Sequence, residues 1–166
     1  MIQQENLKEA DYRGERFANH HKDLLNNNEI LNITRPELIY SIHKDYLLAG
    51  ADIAETNTFN GTDIAQSDFD TQALTYEINV MAAKNARRAA DELTQADPSN
   101  RKFVAGALGP TNKTASVSKN VEDPSSRDIT FDELVAAYTE QIRGLVDGGS
   151  HIIMVETIFD LSLIHI

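Results

Sequence analysis

Two stretches of the chain place a carboxylate and a hydroxyl directly after an apolar run. Ile53-Ala54 is followed by Glu55-Thr56-Asn57-Thr58, and Ile152-Ile153-Met154-Val155 by Glu156-Thr157. A carboxylate at the tip of a buried strand can pair with a ligand ammonium or a metal ion, and low-dielectric surroundings make that pairing directional. A third apolar run, 103–108, ends in Gly109-Pro110-Thr111, where glycine lets other atoms approach the backbone closely. Strand-end Glu and Thr also cap following helices or pair with neighbouring loops, and Gly-Pro commonly forms a turn. The residues alone leave both roles open.

Other chemistries are narrowed by what the chain contains. It has no cysteine, which excludes disulfides, thiolate zinc sites and cysteine nucleophiles within these residues. His20 and His21 are adjacent and no two histidines have the i, i+4 spacing of a helical metal pair, so solvated or packed histidines are expected and no metal ligand is assigned. No G-x-G-x-x-G, G-x-x-x-x-G-K-[ST] or G-x-S-x-G occurs, removing the dinucleotide, phosphate-loop and hydrolase signatures.

Charge limits the partners. With 26 acidic against 15 basic residues the formal net charge is −11, which opposes nucleic acid and acidic membranes because both are held through clustered Lys and Arg. The first residues are charged throughout and lack the apolar core of a signal peptide, and no apolar stretch approaches the ~20 residues of a membrane span. A cytoplasmic location is expected. The 166 residues, 41% of them hydrophobic, suffice for one domain with a core.

The elements that must position the polar tips follow from periodicity. Residues 1–33 show little, and are expected to form an irregular segment that stays mobile at the surface. Thr34 is expected to cap a helix with Pro36 in its first turn and Ile39, Ile42 and Tyr46 along one face, ending at Gly50. A strand over 51–56, a polar loop over 57–68 and a long alanine-rich helix over 70–96 come next. After the turn 95–101 a strand is expected over 102–111, then a long polar loop over 112–128. Thr130 and Glu133 form a capping box for a helix over 131–147, and Gly148-Gly149 leads into the last strand from 151.

Helix and strand therefore alternate, which implies parallel strands joined by right-handed crossovers, an α/β architecture. Every carboxyl end of a parallel sheet emerges on one side, the side where such folds hold ligands. Glu55, Asn57, Thr58, Gly109, Pro110, Thr111 and Glu156 should converge on that rim.

The segments "YRGERF" (12–17), "PELIYSIHKDYLLAGADIAETNTFNGT" (36–62), "VAGALGPTNKTASVS" (104–118) and "DITFDELVAAYTEQIRGLVDGGSHIIMVETIFD" (128–160) resemble the homocysteine-binding domain of cobalamin-dependent methionine synthases, over nearly all of residues 1–160. The resemblance implies a (β/α)8 TIM barrel in which zinc holds the homocysteine sulfur as thiolate for attack on the methyl group of methylcobalamin. Cobalamin- and folate-binding modules of a longer chain would be the partners. Glu156 matches the carboxylate that receives the amino group of homocysteine. Glu55, Asn57, Thr58, Gly109, Pro110 and Thr111 match positions that line the pocket.

The chain also departs from that family. A first strand ending in an Asp-Gly-Gly-Met-Gly-Thr motif and three zinc-binding cysteines are missing, and residues 161–166, "LSLIHI", do not follow the family pattern. A closed barrel takes eight βα units and about 250 residues, so the expected fold is a partial barrel of about three parallel strands over 34–160. A fragment with raw sheet edges, inactive by itself and without tight zinc binding, is the leading expectation. A non-catalytic amino-acid-binding α/β module, and a scaffold whose carboxylates cap helices, are the other readings.

Overall fold

The computed structural model describes residues 1–116, 118, 122, 123, 125, 126–160. Its regular elements, in chain order, are α1 (Glu9–Arg13), α2 (Leu31–Thr34), α3 (Pro36–Leu48), β1 (Ile53–Glu55), α4 (Asp63–Gln66), α5 (Thr75–Ala96), β2 (Phe103–Leu108), α6 (Phe131–Asp147) and β3 (Ile152–Val155), with short 3₁₀ turns between them. The strands form one parallel sheet in the order β1-β2-β3. This is the partial α/β arrangement that the alternation predicts.

Register assigns each side chain to a face. Ile53 pairs with Phe103 and Ala54 with Val104, while Gly106 pairs with Ile153 and Leu108 with Val155. Ala54 and Val104 point into the helix layer, where they meet Leu47, Ala86, Ala89 and Ala90. Leu108 and Ile153 join Ala83, Leu134, Tyr138 and Leu145 in a second cluster on the same side. By alternation, Ile53, Glu55, Ile152 and Met154 lie on the other face, where Ile53 and Ile152 are exposed.

Small residues bring the layers together. Alanines at 82, 83, 86, 89 and 90 make the buried stripe of α5, so the helix backbone lies close to the strands. Gly144 and Gly148 do the same between α5 and α6: a Cβ on Gly148 would stand 2.6 Å from both the Ala83 Cβ and the Val80 carbonyl oxygen. The expected capping box is present, with the Thr130 hydroxyl accepting from the Glu133 amide and the Glu133 carboxylate from the Thr130 amide.

Several boundaries differ from the periodicity reading. Thr34 is not the cap of α3. It ends α2, its hydroxyl donates back to the Ile30 carbonyl at 3.3 Å, and Arg35 takes the cap position without a side-chain bond. The buried face of α3 is Ile39, His43 and Leu47, whereas Tyr46 is exposed. The long helix begins at Thr75 rather than near 70, because Asp70 adopts φ 54 and 3₁₀ turns occupy Ser67–Phe69 and Gln72–Leu74.

Residues 1–33 are docked. Tyr12, Leu24, Ile30 and Leu31 are buried in a cluster with Ile39 of α3 and Ile78 of α5. Their irregular spacing gives no period to read, yet each fills the same hollow. Part of the polar loop 112–128, and all of residues 161–166, lie outside the described residues. Among the described residues, no helix is long and apolar enough to cross a membrane.

Candidate functional site

Glu55 closes β1 and Glu156 follows β3. The Glu156 amide donates to the Leu108 carbonyl at 3.0 Å and so extends the ladder one step beyond the strand. Their carboxyl groups reach each other across β2. Glu55 is pushed up to about 7 by partial burial, by a hydrogen bond with the Glu156 carboxyl and by the Glu156 charge. A hydrogen bond between the two requires a proton on Glu55, since an ionised carboxylate only accepts.

The remaining predicted residues divide between wall and frame. The Asn57 amide donates to the Asn28 carbonyl at 2.7 Å, and the Asn57 carbonyl accepts from the Asn32 side chain at 2.7 Å. Thr58 is fully buried: its hydroxyl donates to the Ala107 carbonyl at 2.8 Å and meets the Thr56 hydroxyl at 2.7 Å, while the Gln141 amide donates to its carbonyl. Thr111 is buried and donates to the Lys113 carbonyl at 2.6 Å.

At Gly109 a Cβ would fall 2.3 Å from the Phe59 carbonyl oxygen, so only glycine allows the loop after β1 to cross the end of β2. Pro110 beside it is half-buried. The structure thus presents Glu55 and Glu156 as the facing pair and uses Thr58, Gly109 and Thr111 to hold the rim behind them.

A cleft of about 570 Å³ opens beside Glu55 along the free edge of β1, between that strand, α3 and the first residues of the chain. Glu55, Asn57, Ile39, Ile42, His43 and Tyr46 are among its walls, whereas Glu156 and residues 109–111 are not. Burial lowers His43 to about 4, and its buried Nε2 has no hydrogen-bond partner among the described residues. Its imidazole is therefore a neutral wall near pH 7.

Periodicity passed over four residues that fix this rim. Glu29 is buried, and its carboxylate accepts from the Asn60 amide at 2.9 Å, which ties the loop after β1 to the N-terminal segment. Asp160 is 1% exposed and accepts from the Thr114 hydroxyl, the Ala115 amide and the Ser116 amide. Tyr138, pushed up to about 12 by burial and the Asp160 charge, donates to the Gly109 carbonyl at 2.7 Å. Gln141 spans Thr58 and Ala107. Each partner lies far away in sequence, so no local spacing signals these roles.

Among the described residues, no group of three His, Cys, Asp or Glu could hold a metal ion. The chain has no cysteine. A resident zinc ion takes three or four Cys, His, Asp or Glu ligands, and the described residues offer no such set to fit it.

A parallel strand–helix repeat of this kind is an α/β fold, and folds of that class generally hold their ligands at the carboxyl ends of the strands. The family model for homocysteine S-methyltransferase matches residues 1–166, and the chain belongs to that family. Its fold is similar to crystal structures of the homocysteine methyltransferase MmuM from Escherichia coli. The oxidized form matches with a TM-score of 0.70 and 21% identity, over 97% of this chain and 51% of that one. The metallated form matches with a TM-score of 0.68 and 22% identity over the same shares, and the apo form with 0.58 and 24% over 82% and 44%. The chain spans about half the length of these structures, and its open three-stranded sheet corresponds to part of their TIM-barrel-like fold.

Proposed function

We propose that these residues form the amine-binding side of a homocysteine methyltransferase site, with Glu156 receiving the amino group of homocysteine and Glu55 as the second carboxyl of the pair. The observation that carries this reading is the convergence of Glu55 and Glu156 at the carboxyl ends of β1 and β3, close enough for each carboxyl to act on the other. Two carboxyl groups this close repel when both are ionised. An ammonium group between them replaces the shared proton, satisfies both anions and releases that proton to solvent. The neutral wall at His43 adds no competing positive charge.

In the proposed whole enzyme the reaction would be that of a methionine synthase, in which homocysteine, deprotonated to the thiolate, would take the methyl group of methylcobalamin to give methionine and cob(I)alamin. Zinc and cobalamin belong to that proposal, and among the described residues of this chain no set of zinc ligands is found. The chain itself is assigned binding and orientation of the amino acid, without turnover. A cytoplasmic setting is part of the same reading.

Calorimetry with homocysteine and with methionine tests it. Binding heat is expected for both ligands, with net proton release below about pH 7 seen as a dependence on buffer ionisation enthalpy. Glu156→Gln should abolish the heat. Undiminished binding by Glu156→Gln, or no heat at all from the folded chain, overturns the assignment.

A further inference from the structure

Directly after Glu156 the chain takes an unusual backbone turn. Thr157, the next residue, has φ 54. A β-branched residue in the left-handed region is strained and stays there only when its surroundings hold it. On the upstream side the hold is the Glu156 amide on the Leu108 carbonyl. Downstream, Ile158 packs against the cluster of Leu108, Leu134 and Leu145, and Phe159 is exposed.

The chain is caught again at Asp160. One of its carboxylate oxygens accepts from the Thr114 hydroxyl at 2.5 Å, the Ala115 amide at 2.8 Å and the Ser116 amide at 3.3 Å. Two successive amides and a hydroxyl converging on one buried oxygen form a strong, directional latch. Asp160 is thereby fastened to the loop after β2, four residues downstream of Glu156.

We propose that Asp160 is a positioning residue for Glu156: its latch on Thr114, Ala115 and Ser116 keeps Thr157 in the left-handed turn that points the Glu156 carboxyl at Glu55. With the latch gone, residues 157–160 relax toward ordinary negative φ and Glu156 swings away. The inference rests on the reading of the Glu55–Glu156 pair as the ligand-facing site, but its test needs no ligand.

The test is a carbon-detected NMR titration of the side-chain carboxyl groups in the full 166-residue chain. In the parent Glu55 should titrate near 7. In Asp160→Ala its transition should fall by about one unit or more toward ordinary glutamate, and the Ala115 and Ser116 amides should exchange faster. Thr114→Val removes only one of the latch bonds, keeps the fold if Asp160→Ala does not, and should move Glu55 the same way by less.

Thr157→Gly relieves the strain, so adding Asp160→Ala to it should shift Glu55 by less than in the parent background. A merely structural latch would not show this coupling. A Glu55 transition unmoved by Asp160→Ala and Thr114→Val, or moved equally on the Thr157→Gly background, overturns the proposal. So does a parent transition at the ordinary glutamate value. Failure of homocysteine binding with these titration shifts intact would overturn only the ligand reading.

Discussion

Glu55 and Glu156 meet across the carboxyl end of a third strand and share a hydrogen bond, although the two residues belong to different strand–helix units of the chain. Neither is fully enclosed. The raised pKa of Glu55 sets the first prediction.

Stability should fall as pH rises through the pair's window. Glu55 titrates at about 7 in the fold against an ordinary 4.5, so between those values the folded state holds more protons than the unfolded one and loses stability as pH increases. Urea midpoints measured across that interval should decline less steeply in Glu55→Gln than in the parent. A parallel decline in both would refute the coupling.

His43 predicts the opposite sign. Burial lowers it from 6.5 to about 4, so its contribution is present above the unfolded value and is lost as pH falls through that interval. His43→Leu removes both the acid sensitivity and the unpaired Nε2. Its urea midpoint should change less than the parent's between neutral and mildly acidic pH.

Glu29 should matter more than its place in an irregular segment suggests. It is buried and holds the Asn60 amide. Glu29→Ala leaves that amide without its partner and should cost about 1–3 kcal/mol, read from urea denaturation, with faster amide exchange at Asn60. Glu29→Gln keeps an acceptor and should cost less.

Gly148 is predicted to resist any side chain. The methyl group of Gly148→Ala would meet the Ala83 Cβ and the Val80 carbonyl at 2.6 Å, and separating α5 from α6 should destabilise the chain by ~1–3 kcal/mol. Gly50 has open space around its Cβ position but φ 111, so Gly50→Ala should be strained by backbone conformation alone. Thermal unfolding of both variants distinguishes crowding from backbone strain, because only the first is eased by Ala83→Gly.

The sheet face that carries Glu55 also presents Ile53 and Ile152, 49% and 43% exposed, with Val155 and Phe159 exposed nearby. Among the described residues β1 and β3 are the outer strands of the sheet, and exposed apolar side chains beside such edges favour self-association. Sedimentation should show concentration-dependent association that Ile53→Lys and Ile152→Lys reduce. Unchanged association in both variants would place the contact elsewhere.

The sequence by itself determined the alternation of helix and strand, the parallel sheet and the position of Glu55 and Glu156 at strand ends. These are local matters: the runs read within 51–56, 102–111 and from 151, the Thr130–Glu133 capping box and the alanines of α5 carry their structural preference in their own neighbourhood. The motifs at 36–62 and 128–160 added the family, because they combine several such local choices.

Only the tertiary structure decided which polar residues face a ligand and which hold the frame. Thr58 and Thr111 look no different in sequence from Thr157, yet the first two are buried donors to backbone carbonyls and the third is an exposed residue in a left-handed turn. Glu29 and Asp160 find their partners 31 and 45 residues away. A hydrogen bond over such a distance depends on how whole elements pack, and packing distributes its signal over many small apolar contacts, none of which marks the polar residue that completes it.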